Sequence, residues 1–249
     1  MDKGYIYDGS FEGLLTSIYE AFYSRENPCF IFSAKAYDKN TEGTMFGLLE
    51  EPERIVTDMV KYKKVYEAIL EKISEEAAET IYYVYLSEIP GFEKMTLDYL
   101  RFGFKTGFDT NKHLENQKVL NMLKAERKVV FEVHRMLGFI RFETYSGIYY
   151  ASYEPDHNIT ELITPHFVTR LSGQNFIIHD IKRELASFCN HTGWYMSSLG
   201  RDAIKCEDKS IYQELWKSYF KSATIEERKN IRNQKRQMPR RYWKHLPEI

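Results

Sequence analysis

The sequence predicts an α+β protein with a helical cluster, a small antiparallel sheet of ββαββ order and a basic C-terminal helix. Apolar residues recur at helical spacing almost throughout residues 53–138. After Gly138 the pattern changes to the alternation of short strands, and the C-terminal segment is rich in Lys and Arg. Because helices and strands occupy different stretches of the chain, the class is α+β rather than α/β.

The first predicted elements are a strand and a helix. Tyr5-Ile6-Tyr7 is typical of a short strand, and the Asp8-Gly9 turn ends it. Ser10 then suits the N-cap of a helix, because its hydroxyl accepts a hydrogen bond from an N–H group of the first turn. A further apolar stretch at residues 30–32 predicts a second strand. The pattern leaves open whether the N-terminal strand joins the later sheet.

The region of residues 1–138 is predicted to be mostly helical, with the N-terminal strand. Four or five helices fit between residues 53 and 138, with breaks near Ser74, at Pro90-Gly91 and around Gly107. Residues 139–222 form the predicted ββαββ unit: a hairpin at 139–142 and 148–151, a helix at about 160–171, and strands at 176–178 and 185–188.

The last predicted region, residues 223–249, is a basic helix and tail. Thr224 and Glu227 have the spacing of a capping box, in which the Thr hydroxyl and the Glu carboxylate bind N–H groups of the first turn. The helix is expected to run from Thr224 to about Gln237, because Pro239 stops it. The three regions form either separate domains or one compact domain.

The charge of the chain is unevenly distributed. It contains 35 Lys and Arg against 36 Asp and Glu, for a formal net charge of −1. Residues 217–249 hold ten basic and three acidic side chains, so the rest of the chain is mildly acidic. A basic tail of this kind is typical of a segment that contacts an anionic partner.

The pattern of the basic segment predicts a nucleic-acid interface. Like charges on one helix face repel each other unless an anionic surface attracts them. Beyond the helix, cations alternate with aromatic rings, which stack on exposed bases while Arg and Lys contact phosphates. The predicted nucleic-acid-binding residues are Arg228, Lys229, Arg232, Lys235, Arg236, Arg240, Arg241, Trp243 and Lys244.

The aromatic residues of the tail also support a second interpretation. Tyr242, Trp243 and Leu246 would then dock the tail onto the protein body. The Arg stems would cover apolar surface while their charges stay in water. The sequence leaves both interpretations open.

Two further groups are candidate catalytic residues. His166 and Arg170 lie four apart on the helix of the ββαββ unit, and Asp180 with Arg183 follows the next strand. Arg and protonated His bind phosphate, so the four residues would form an anion pocket, to which the Asp156-His157 loop would contribute. An Arg170–Asp180 ion pair is the structural alternative.

Glu132 and His134 form the second candidate group. They lie two apart on a predicted helix, so the two side chains point about 200° apart. This geometry is poor for a metal or catalytic pair, and an ion pair between Glu132 and Arg135 that anchors helix to sheet is the favoured alternative.

Several classes of site have no sequence support. The three cysteines are far apart, and the phosphate-binding, dinucleotide-binding and zinc-hydrolase motifs do not occur. We therefore expect no metal and no cofactor. We expect neither a signal peptide nor a membrane span, because no apolar run reaches 18 residues, and hence a cytoplasmic location.

Several stretches together resemble a bacterial family labelled probable DNA metabolism protein. They are residues 7–14, residues 127–129, Glu132-x-His134-Arg135, Gly138-Phe139-x-Arg141-Phe142, His166-Phe167-x-x-Arg170, Asp180-x-x-Arg183, and residues 238–248 with Met-Pro, a basic pair, Tyr-Trp and Leu-Pro-Glu. Members of that family are typically encoded beside a radical S-adenosylmethionine protein of DNA modification or repair. A related domain is fused to a uracil-DNA-glycosylase-like domain.

The resemblance implies a DNA context without a particular reaction. The leading hypothesis is a DNA-binding accessory protein that presents DNA to a radical S-adenosylmethionine partner through its basic tail. One alternative is a nucleic-acid-processing enzyme whose pocket consists of His166, Arg170, Asp180 and Arg183. The other is a protein-interaction module whose tail binds an acidic surface.

Overall fold

The computed structural model describes residues 4–23, 28–41, 52–145, 147–204, 211–225 and 230–246. The chain divides into two compact units, Met1–Val129 and Val130–Ile249. Each unit combines helices with a small sheet, so the predicted α+β class is confirmed. In the described part of the chain, no helix is both long enough and apolar enough to cross a membrane.

The N-terminal strand belongs to a three-stranded parallel sheet in the first unit. β1 (Gly4–Tyr7) lies between β2 (Phe30–Ser33) and β3 (Glu53–Arg54), and both pairings are parallel. The central position explains why every residue of β1 is buried. The open question of where this strand pairs is thus answered: it does not join the later sheet.

The turn after β1 starts α1 (Phe11–Tyr23) in the predicted way. The Asp8 carboxylate accepts hydrogen bonds from the N–H and hydroxyl of Ser10, and the Ser10 oxygen accepts one from Gly13 N–H. Ser10 therefore caps the helix. The apolar face of α1 is buried in the core of the unit, with Ile18 fully buried.

Four α-helices follow between residues 53 and 138, in agreement with the sequence pattern. Ser74 separates two of them, and its hydroxyl oxygen accepts a hydrogen bond from Ala77 N–H. Glycines with positive φ, Gly91 and Gly107, flank the next helix, as Gly tolerates the left-handed region. The helices of this stretch and the one before it are α2 (Ala34–Thr41), α3 (Met59–Lys72), α4 (Glu75–Ser87), α5 (Phe92–Thr106) and α6 (Gln117–Phe139).

The second unit contains a five-stranded mixed sheet. Its strands, in spatial and chain order, are β4 (Glu143–Tyr145), β5 (Ile148–Tyr153), β6 (Phe176–Asp180), β7 (Leu185–Asn190) and β8 (Gly193–Ser198). The predicted ββαββ order is present, with α7 (Thr160–Arg170) between β5 and β6. Two corrections apply: β5 and β6 are parallel, and β8 is an additional strand. A helix between β5 and β6 allows the parallel pairing, because it returns the chain to the starting edge.

The two faces of this sheet differ in what packs against them. The hydroxyls of Tyr153 and Thr160 are 2.8 Å apart, so α7 packs on the face that carries Tyr153 and its register partner Asp180. Side chains alternate between faces along a strand, and register partners share a face. The opposite face therefore carries Tyr150 and Ser152, and Ser152 is the register partner of His179.

The C-terminal part contains α8 (Ile211–Ala223), α9 (Ile231–Gln237) and a short 3-10 helix, Arg240–His245. The predicted start of the last helix near Thr224 is wrong, and Glu227 of the expected capping box lies outside the described residues. The Thr224 hydroxyl donates to the carbonyl oxygen of Phe220, at the end of α8. The N-cap of α9 is instead Asn230, whose side-chain oxygen accepts a hydrogen bond from Asn233 N–H. Asn is at least as effective an N-cap as Thr.

Candidate functional site

The four residues of the predicted anion pocket are not gathered into one group. Asp180, at the end of β6, is fully buried, whereas His166 and Arg170 are exposed on α7. The Asp180 carboxylate binds Arg183, with 2.8 Å between Oδ2 and Nη1. Burial raises the pKa of Asp180, and the Arg183 charge partly offsets this effect. Asp180 thus has Arg183 as its partner, and not Arg170.

Arg183 also fixes the loop that precedes α7. Its guanidinium donates to the carbonyl oxygens of Pro155 and Asp156, at 3.2 and 2.8 Å. Lys182 donates to the same two carbonyl oxygens. The Asp180 and Arg183 charges are therefore used within the protein, which favours a structural role for this pair.

Glu132 is a buried anchor, as the sequence indicated, but its partners differ from the expected Arg135. Its carboxylate is 3% exposed and accepts hydrogen bonds from the N–H groups of Asp156 and His157, at 2.7 and 2.8 Å. The Tyr242 hydroxyl donates a third hydrogen bond, at 2.5 Å. His134, two residues along α6, is exposed. Glu132 therefore joins α6, the loop before α7 and the C-terminal tail.

The tail is partly docked in the way that the second interpretation expected. Tyr242 and Leu246 are buried, at 3% exposure each. Arg241 pairs with Asp156 at 2.5 Å and Lys244 pairs with Glu154 at 2.6 Å. These ion pairs lie at the surface and are only partly shielded from water.

The other predicted nucleic-acid-binding residues differ in their surroundings. Arg232, Lys235 and Arg236 are exposed on α9. Arg240 is also exposed, with its guanidinium 5.7 Å from the centre of the Trp243 ring. Arg228 and Lys229 lie outside the described residues.

A cavity of about 340 Å³ lies in the second unit, on the sheet face opposite α7. Glu143, Tyr150 and Ser152 contribute from β4 and β5, and Lys244 to Leu246 contribute from the tail. The remaining lining residues come from segments far apart in sequence. They are Arg141, Ile181, Arg201, Ile204 and Lys217. Four of the lining side chains are Lys or Arg, and Glu143 is the one carboxylate in the described lining.

Sequence reasoning identified only Lys244 among these cations. The cavity residues are separated by long stretches of chain, so no local spacing connects them. Among the other three cations, Arg141 is the one that the sequence could have indicated, because it lies in a stretch that carries the family resemblance. Its guanidinium donates to the carbonyl oxygen of Gly138 at 2.7 Å, which positions it at the end of α6.

A buried histidine supports the floor of the cavity. His179 Nε2 lies 3.0 Å from the carbonyl oxygen of Leu199, which can only accept, so Nε2 carries a proton. Burial lowers the pKa of His179 and favours the neutral ring. The other nitrogen, Nδ1, therefore accepts a hydrogen bond from the Tyr150 hydroxyl at 2.8 Å. The phenol proton points to His179, and the Tyr150 oxygen is an acceptor.

Neighbouring groups also shift the pKa values of two residues at the tail side of the cavity. The hydrogen bond from Lys244 lowers the pKa of the Glu154 carboxyl, so Glu154 stays ionised. Burial, followed by the Lys244 charge, lowers the pKa of His245. His245 is therefore mainly neutral at pH 7, and the positive charge of the cavity comes from Arg and Lys.

The described residues include no group of three or more His, Cys, Asp or Glu side chains arranged to hold a metal ion. The arrangement of the cavity favours binding of an anion by Arg and Lys, which donate several hydrogen bonds each.

Comparison with known proteins gives a family for well over half of the chain. A family model described as a domain of unknown function, DUF4130, matches residues 90–248. This span includes every residue of the cavity and of the Glu132 network. Neither the curated proteins nor the solved structures gave a match.

Proposed function

The chain belongs to the DUF4130 family, and we propose that it is a DNA-binding accessory protein of bacterial DNA metabolism. The observation that carries this proposal is the cavity with its four Lys and Arg side chains in the second unit. Phosphate groups are the anions that nucleic acids present, and their contacts with Lys and Arg supply most of the sequence-independent affinity.

The distribution of charge between the two units supports the proposal. The first unit has 17 basic and 22 acidic side chains, and the second has 18 and 14. The net charges are thus −5 and +4. A positive unit attracts a polyanion, whereas a negative one repels it. DNA is therefore expected to contact the second unit.

The exposed cations of α9 extend the binding surface beyond the cavity. Arg232, Lys235 and Arg236 are available for phosphate contacts, and Trp243 with Arg240 offers a ring and a guanidinium for an exposed base. Arg241 and Lys244 already have acidic partners, so they contribute less than the sequence alone suggested.

The test is fluorescence anisotropy of labelled single-stranded and double-stranded DNA at several salt concentrations. Arg232→Ala and Lys217→Ala should each weaken binding and reduce the slope of log K against log salt by about 0.7–0.9. Lys118→Ala is the matched control, because it removes one exposed positive charge from the first unit. Point variants are preferable to truncation, since the tail contains the buried Tyr242 and Leu246.

Absence of binding by the intact protein at low salt would contradict the proposal. Binding that does not change with salt would also contradict it, because phosphate contacts release counterions. An equal effect of Lys118→Ala and Arg232→Ala would show that only the overall charge matters.

We also propose that the protein acts with a radical S-adenosylmethionine enzyme, as its sequence resemblance implies. The support from the structure is α8, on which Leu215 and Tyr219 are 59% and 62% exposed. They lie four apart and therefore share a helix face. Large exposed apolar side chains grouped on one face are typical of a protein-binding surface.

The partner proposal is tested by co-purification with a radical S-adenosylmethionine enzyme of the kind encoded beside members of the family that the sequence resembles. Leu215→Ser combined with Tyr219→Ser should abolish co-purification and leave DNA binding unchanged. Co-purification that is unaffected by the double substitution would contradict this location of the contact.

A further inference from the structure

The sheet of the second unit carries a row of exposed side chains on the face opposite α7. Ile177, Phe188 and Tyr195 are register partners on β6, β7 and β8, so they lie side by side. Ile177 and Phe188 are partly exposed, and Tyr195 is 58% exposed. By contrast, Ile178 and Ser187, on the face that α7 covers, are fully buried. The exposed row of Ile177, Phe188 and Tyr195 is therefore a part of the sheet surface that faces solvent.

The two aromatic rings of the exposed row form a stack that ends at the edge of the sheet. The ring centres of Phe188 and Tyr195 are 5.5 Å apart, and the ring planes differ by 15°. In the described part of the chain, β8 is the last strand of the sheet, so Tyr195 lies at its edge. An unpaired base stacks on an exposed ring of this kind, and such stacking is a main contact with single-stranded nucleic acid. The bases of a duplex are already stacked and paired, so a duplex does not offer this contact.

The exposed row leads to the cavity. Ile177 is the register partner of Tyr150, which lines the cavity together with Arg201 and Lys217. The side chains of both cations are exposed. Each base of a nucleic acid is joined through its sugar to a phosphate, so a strand whose phosphates contact Arg201 and Lys217 brings its bases to this face of the sheet.

The polarity of this face fits a nucleic acid. In β5 to β8, all of whose residues are described, the positions on this face include no Asp or Glu. No carboxylate of these strands therefore repels a nearby phosphate, while Arg201 and Lys217 attract it. An apolar surface beside exposed cations suits a single strand, because its bases have apolar faces and its backbone is anionic.

We propose that this sheet face binds unpaired bases of single-stranded DNA, with Tyr195 as the residue on which a base stacks. The inference rests on the proposed DNA binding and specifies which form of DNA is bound and which part of it the sheet contacts. Arg201 and Lys217 contact phosphates, whereas the exposed row contacts the bases.

The test compares a labelled single strand with a strand of the same length whose central nucleotides are abasic. The abasic strand keeps the phosphates and lacks the bases, so anisotropy titrations of the full chain should show about tenfold weaker binding of it. Tyr195→Ala should bind the intact strand about tenfold more weakly than the wild type and lose most of the difference between the two strands. Its slope of log K against log salt should be unchanged, because no phosphate contact is removed.

Two further variants serve as controls. Tyr195→Phe retains the ring and should keep the preference for the intact strand. Tyr23→Ala removes a tyrosine that is 69% exposed and stacks on Tyr19, with 4.2 Å between the ring centres, but that lies in the first unit. It should also keep the preference, because the match in exposure and stacking leaves only the location different.

Three outcomes would overturn the inference. Equal affinity of the wild type for the intact and abasic strands, with salt-sensitive DNA binding retained, would do so and leave the proposed function standing. A Tyr195→Ala protein that binds the intact strand like the wild type but loses self-association or co-purification with its partner would make this face a protein interface. Failure of the wild type to bind any oligonucleotide would overturn both proposals.

Discussion

Glu132 is a residue whose role follows from its three donors. Two backbone N–H groups and the Tyr242 hydroxyl surround a carboxylate that is 3% exposed. Glu132→Ala would leave buried donors without partners, each at a cost of about 1–3 kcal/mol. We expect a clear loss in the free energy of unfolding, measured by urea denaturation. Tyr242→Phe should destabilise less, because it removes one donor and leaves the carboxylate its backbone partners.

His134→Ala is the control for this prediction. His134 lies on the same helix but is exposed, so its substitution should change the free energy of unfolding by no more than about 0.5 kcal/mol. A Glu132→Ala protein as stable as the wild type would show that the network does not stabilise the fold. If the protein is a nucleic-acid-processing enzyme, loss of that activity in Glu132→Ala without loss of stability would instead favour a catalytic role for Glu132.

Glu93 makes the stability of the first unit depend on pH. It is 3% exposed on α5, and burial raises the pKa of its carboxyl to about 7, although hydrogen bonds from Ser33 N–H and the Tyr7 hydroxyl act in the opposite direction. Between the ordinary value of 4.5 and about 7, the folded protein binds more protons than the unfolded chain. Stability should therefore fall as the pH rises through this window.

The measurement is the melting temperature from pH 4.5 to 8 for the wild type and Glu93→Gln. The variant cannot ionise at this position, so its curve should fall less steeply over the same window. Asp58→Asn is a useful comparison, because backbone hydrogen bonds from Lys61 and Val60 lower the pKa of Asp58 and place its effect at acidic pH. Parallel curves for the wild type and Glu93→Gln would contradict the assignment.

At the level of single residues, the sequence indicated interactions between residues that are close together in the chain. It did not indicate interactions between residues that only the folded chain brings together. Glu132 and His134 were separated correctly, because helix geometry alone determines their directions. Asp180 was grouped with Arg170, whereas the turn after β6 brings Arg183 to it. The cavity could not be found, since its cations come from distant segments that only the tertiary structure brings together.

At the level of elements, local signals predicted most helices and strands but not strand pairing. Ser10 and Ser74 mark helix starts by chemistry that is readable from sequence. The parallel pairing of β5 with β6 depends on the crossover through α7, and β1 pairs with a two-residue strand too short to leave a periodic pattern. β8, Gly193–Ser198, was missed although its strand residues alternate in exposure. No residue of β8 is buried, so the segment lacks the buried apolar side chains on which the prediction of a strand depends.

For the whole molecule, the opposite charges of the two units determine how DNA affinity should depend on salt. Six exposed cations of the described second unit face solvent and are proposed to contact phosphates: Arg201, Lys217, Arg232, Lys235, Arg236 and Arg240. Each contact with single-stranded DNA contributes about 0.7 to the slope of log K against log salt, so the intact protein should give a slope of about −4. The first unit, with its net charge of −5, should contribute nothing. A slope of about −1.4 in the anisotropy titrations, which is the contribution of Arg201 and Lys217, would reduce the interface to the cavity alone. A slope that falls with Lys118→Ala would move the interface to the first unit, against the charge argument.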